Sequence, residues 1–159
     1  MSEIARIVDQ LEREHSGDPW HGSPLTAILD GITAGQASAR PIAAAHSIWE
    51  LVLHMTGWKN EVRRRLSGAP AGEPEGGDWP DPGEPSQARW IDARRRLDAA
   101  HAELIAAVRA LPDEGLEEPT RDPRNHPLGT GVSRYVLLHG IVQHDVYHAG
   151  QIALLSRAR

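Results

Sequence analysis

Apolar stripes of helical period alternate along the chain with stretches too rich in proline or glycine for regular structure. Ile4, Ile7, Val8 and Leu11 predict a first helix over residues 3–14. Ser23-Pro24 reads as an N-cap and first turn, opening a short helix with Leu25, Ile28, Leu29 and Ile32. Residues 33–45, broken by Gly35 and Pro41, read as connecting chain. A second long helix is predicted over 47–66, with Ile48, Leu51, Val52, Met55, Val62 and Leu66 as its stripe and Trp58 on one flank. Gly57 lies inside it at a cost of about 1 kcal/mol relative to alanine. Packing must override that cost, or another segment approaches the backbone there. Ser86 starts a third long helix, to Leu111, carrying Trp90, Leu97, His101, Leu104, Ile105 and Val108. The last and most apolar helix begins at Gly131 or Val132 and runs to Ser156.

Ten of the eighteen residues 68–85 are Pro or Gly, and Pro112, Pro119, Pro123 and Pro127 interrupt 112–130, so both segments read as loops. No strand pattern emerges. The expectation is an all-α four-helix bundle with long crossover loops. Residues 1–159 form a single domain with 68–85 inside it, because neither half would bury a core alone.

Composition narrows the chemistry. With no cysteine, thiolate metal sites, iron–sulfur clusters and cysteine nucleophiles are excluded. A net charge of -5 opposes a nucleic-acid partner. The N-terminus is polar and no apolar run is long enough to span a bilayer, so a soluble cytoplasmic protein without a membrane partner is expected. Arg94-Arg95-Arg96 reads as a solvated face. Nine histidines remain to be explained.

His144 and His148, at i and i+4, lie about 40° apart around a helix and can converge on one cation. They continue the stripe Leu137, Ile141, His144, His148, Gln151, Leu155, so the pair faces the bundle interior. Buried neutral imidazoles need partners, and a metal ion satisfies both. His54, flanking the stripe of the second long helix, is the third candidate ligand. Three histidines with open positions make a catalytic type of coordination, since structural zinc fills all four. His46 and Glu50 read as surface residues of that helix, with Glu50 a candidate acceptor behind a ligand histidine. His101 reads as core packing, His139 as outside the site, and His15, His21 and His126 as loop residues. Tyr147 reads as a core-edge residue. No Gly-rich phosphate loop, nucleophile elbow, His-Glu-x-x-His or Glu-x-x-His repeat occurs.

The segment Ile48-Trp49-Glu50-Leu51-Val52-Leu53-His54-Met55-Thr56-Gly57-Trp58, paired with Gln143-His144-Asp145-Val146-Tyr147-His148-Ala149-Gly150-Gln151-Ile152, resembles the DinB/YfiT-like superfamily. Asp18-Pro19-Trp20-His21-Gly22-Ser23-Pro24-Leu25 is similar to a subgroup of it, so the likeness covers residues 1–157. The resemblance implies a four-helix bundle, often a homodimer. It implies a divalent metal, zinc or nickel, held by His54, His144 and His148; the softness of imidazole ligands also allows iron or cobalt. It also implies two enzyme classes: transferases or isomerases using a low-molecular-weight thiol, and metal-dependent hydrolases acting on small molecules. A non-catalytic metal-binding stress-response or interaction module stays open beside them.

Overall fold

The computed structural model of the chain describes residues 1–121 and 132–158. Its helices are α1 (Glu3–His15), α2 (Leu25–Leu29), α3 (Ala34–Ser38), α4 (Ile48–Leu66), α5 (Gln87–Arg109) and α6 (Arg134–Leu155), with a 3-10 turn at Asp113–Glu117. The all-α expectation holds among the described residues, and the four long helices lie where the apolar stripes put them.

Serine begins each long helix. The Oγ atoms of Ser2, Ser47, Ser86 and Ser133 accept from the backbone N–H groups of Ala5, Glu50, Arg89 and Val136. Each satisfies a donor the helix leaves unpaired, at about 1 kcal/mol per cap. Ser133 therefore starts α6 two to three residues later than apolar periodicity alone predicts. α3 forms within residues 33–45, where Gly35 and Pro41 predict connecting chain. Thr33 and Gln36 form a reciprocal capping box that nucleates it, and residues 33–36 carried that signal.

α4 packs against α5 and α6, and α1 packs against the same two helices. Two apolar clusters fill the interior. One contains Leu51, Met55, Trp90, Leu97 and Ile152, the other Leu11, Val62, Leu104, Leu138 and Ile141. On each of α4, α5 and α6 a polar residue stands between the two clusters in sequence: Lys59, His101 and Asp145. Glu14 and His15 join them from the end of α1, and all five are buried. A polar layer thus crosses the core.

Gly57 is explained by the loop. An added Cβ would lie 3.0 Å from Pro74 Cβ, so the glycine lets residues 73–80 seat against α4. No described helix is long and apolar enough to cross a membrane.

Candidate metal centre

His54 on α4 and His144 and His148 on α6 come together, each offering a ligand atom within 4.8 Å of the others. α6 positions its pair by the four-residue spacing, and α4 lies alongside. The ring planes are inclined at 36° (His54–His144), 79° (His54–His148) and 77° (His144–His148). Differently inclined rings can aim their in-plane lone pairs at one point.

Hydrogen bonds fix which nitrogen is available. His54 Nδ1 donates to the Asp78 carbonyl at 2.6 Å, and His148 Nδ1 donates to Gln151 Oε1 at 2.6 Å. His144 Nδ1 faces Asp145 Oδ1 at 3.4 Å. Each acceptor holds the proton on Nδ1 and leaves Nε2 as the ligand atom. His54 Nε2 and His144 Nε2 stand 2.9 Å apart. With both rings protonated on Nδ1 these lone pairs face each other and suit a cation between them, whereas a proton on either Nε2 would make an imidazole–imidazole hydrogen bond. Tetrahedral ligation with bonds of about 2.05 Å would set the nitrogens about 3.3 Å apart, a few tenths of an ångström wider. Burial, followed by the neighbouring imidazoles, pushes His148 down to about 4. Burial likewise lowers His54, outweighing the hydrogen bond to Asp78. Neutral imidazoles around a shared space suit a transition-metal cation better than a proton, so the donor set fits.

The loop before α5 completes the centre. Trp79 stacks on His54 at 3.9 Å between ring centroids and on His46 at 3.5 Å, and Trp58 Nε1 donates to Asp78 Oδ1 at 2.8 Å. Sequence reasoning missed Asp78 and Trp79, because nothing in a Pro/Gly-rich segment says where it folds back. Gln151 lies on the stripe that periodicity predicts, and its role as acceptor for His148 emerges only from the structure.

The other candidates separate cleanly. Glu50 does not back a ligand histidine. Its carboxylate accepts from the Ser47 N–H at 2.7 Å and from Arg40, completing the cap of α4. His46 precedes α4 and packs on Trp79 rather than standing free. His139 lies outside the site, 4.3 Å from the Tyr135 ring. Tyr147 is largely exposed, 5.1 Å from the His148 ring. His21 is exposed, and His126 lies outside the described residues. His15 corrects the loop reading: it is the last residue of α1, buried, with Nε2 3.0 Å from Asp98 Oδ1.

Glu14, His15 and His101 form a second group with metal-ligand atoms. Its geometry is unlike the first. The His15 and His101 rings are stacked 3.8 Å apart and 9° from parallel, so no single point lies in both ring planes. Lys59 already supplies a cation, with Nζ 3.1 Å from His101 Nδ1, 3.5 Å from Glu14 Oε1 and bonded to Asp145 Oδ2. Burial, with Lys59 next, holds His101 down at about 2. Burial also raises Glu14 to about 8. Lys59 keeps its proton although burial opposes it, because Asp145 and Glu14 face it.

A surface groove lies elsewhere, between α4, α5 and residues 73–82. Several of its charges are already paired, Arg64 with Glu61, Arg63 with Glu103 and Arg96 with Asp92. The three histidines are the better-built site.

No curated protein and no solved structure matches the chain. The sequence profile of the DinB superfamily matches residues 20–152, a span that includes all three histidines and the loop that clamps one of them. The chain belongs to the DinB superfamily.

Proposed function

We propose that the protein is an enzyme that holds one divalent transition metal on His54, His144 and His148 and uses it to activate a low-molecular-weight thiol for transfer to an electrophile. The observation carrying the reading is the set of three acceptors, Asp78 O, Asp145 and Gln151, one behind each Nδ1. Imidazole ligands favour zinc, nickel, iron or cobalt over magnesium and calcium.

A bound cation of this kind supplies Lewis acidity, lowering the pKa of a coordinated thiol or water. The chain's residues do the rest. Imidazole ligands bring no negative charge, so His54, His144 and His148 would leave the cation its full charge. Trp58 and Trp79 wall the histidines with apolar surface, excluding water from one side. Three carboxylates have partners: Asp145 is engaged by Lys59, Glu50 by Ser47 and Arg40, and Asp78 by Trp58. Hydrolysis asks for a base to take a proton from water. A thiol acidified below neutral pH ionises without one, which favours thiol transfer over hydrolysis. The test is turnover of a thiol with an electrophile such as a chlorodinitrobenzene, in zinc- and nickel-loaded protein. Metal-dependent transfer supports the reading. Metal-dependent ester hydrolysis without transfer moves it to the hydrolase class. Neither activity leaves the binding module.

A homodimer belongs to the same reading. Val136, Tyr147 and Leu154 are exposed along α6, and added Cβ atoms at Gly140 and Gly150 would meet open space. Positions 136, 140, 143, 147, 150 and 154 are symmetric about residue 145. An antiparallel second copy would set Val136 against Leu154 and glycine against glycine. Light scattering tests this: Tyr147→Glu is expected to give monomers, and a wild type monomeric at every concentration overturns it.

A further inference from the structure

We propose that Lys59 and Asp145 are a positioning pair for the metal centre, in which Lys59 clamps Asp145 so that its second oxygen holds His144 in the tautomer that ligates through Nε2. This rests on the metal-centre reading above and concerns two residues that touch neither the cation nor a substrate.

Asp145 follows His144 directly on α6, and its side chain is fully buried. The carboxylate is divided. Oδ2 takes the Lys59 ammonium, and Oδ1 lies 3.4 Å from His144 Nδ1. Lys59, also fully buried, has three donors facing three acceptors: Asp145 Oδ2, His101 Nδ1 and Glu14 Oε1. With every donor directed, the ammonium is fixed by three helices, and it fixes the carboxylate in turn. Of the other two ligand histidines, His148 relies on the neutral Gln151 amide, and His54 on the Asp78 carbonyl with the half-exposed Asp78 carboxylate 3.3 Å away. Asp145 is the buried carboxylate, and a carboxylate behind an imidazole raises the basicity of the ligand nitrogen.

Stability does not account for the pair. Taking two ions out of water costs several kcal/mol each, and apolar residues of similar volume often serve a core as well or better. Glu14 already offers Lys59 a carboxyl group. What a structural ion pair leaves unexplained is the second oxygen, which points out of the polar layer at a ligand histidine.

The experiment avoids stranding a buried charge by changing both residues. In Lys59→Met/Asp145→Leu the acceptor is gone, and in Lys59→Met/Asp145→Asn a neutral acceptor remains. Zinc affinity is read by competition with a chromophoric chelator, and the His144 tautomer by imidazole nitrogen shifts in zinc-free protein. The Leu variant is expected to bind zinc about 10- to 100-fold more weakly. Its His144 should populate both tautomers where wild type shows Nδ1–H, with the Asn variant in between. A purely structural pair would change the melting temperature and leave the tautomer alone. Wild-type affinity and an Nδ1–H His144 in the Leu variant overturn the proposal. Should that variant not fold, an Nε2–H His144 in zinc-free wild type overturns it equally, and an Nδ1–H His144 there supports it. Wild type that takes up no zinc defeats the metal-centre reading, while the His144 tautomer still decides this one.

Discussion

Two groups of histidines share this bundle, and they differ in the angle between their rings. His54, His144 and His148 converge with ring planes inclined by 36° to 79°. His15 and His101 lie flat on each other. The first arrangement can take a cation from outside between its ring nitrogens. The second carries its own cation, covalently, on Lys59. Residue type alone does not distinguish them, since both supply imidazoles beside a carboxylate. Ring orientation and the presence of an internal ammonium do.

That contrast is most sharply tested at Lys59. Lys59→Met leaves Asp145 buried without its partner, and the expected loss is about 3–5 kcal/mol of folding stability. Urea unfolding measures it, and a loss under about 1 kcal/mol would mean that water or Glu14 compensates and the polar layer is not held by this cation. At the other group the expected change is in composition rather than stability. His148→Ala should abolish the binding of one zinc per chain in equilibrium dialysis, whereas His101→Ala should retain it. Zinc lost in both variants would erase the distinction between the groups. Chelation is expected to leave the metal-free fold intact, because both apolar clusters and the Lys59 layer remain. Unfolding on chelation would favour a structural metal.

Acidity separates the layer further. Burial keeps Glu14 protonated to about pH 8 when folded, against a reference value of 4.5. Across that window the folded chain binds a proton that the unfolded chain lacks. The associated stability is full below about 4.5 and is lost as pH rises through about 8. Glu14→Gln cannot titrate, so it should gain on wild type over this range, by no more than about 1.4 kcal/mol per pH unit. A difference that is flat with pH in denaturant melts would show that Glu14 is ionised in the core. The smallest change is expected at the loop. Gly57→Ala presses on Pro74 and disturbs Asp78 and Trp79, which orient His54. Zinc affinity should fall about tenfold, and unchanged affinity would mean that His54 needs no clamp.

Legibility followed the range of the interactions involved. Helix periodicity is local, so the stripes located α1, α4, α5 and α6, and the i,i+4 pair on α6 was visible as a pair. Caps are local too, yet the Thr33-x-x-Gln36 signal is masked in the sequence by Gly35 and Pro41, which favour loop. Partners set by long-range folding were not legible. Asp78 stands 24 residues from His54, Lys59 86 residues from Asp145, and His15 83 residues from Asp98. A lone lysine amid arginines carried no sign that it would be buried.

The sequence by itself determined the all-α class, the long helices and the helix faces bearing His54, His144 and His148, because these follow from a 3.6-residue period repeated over many turns. Tertiary structure decided which histidines meet as a tripod and which stack, which nitrogen each presents, and where the buried charge sits. Those outcomes depend on how helices pack side by side and on where a loop returns, and no local period encodes either.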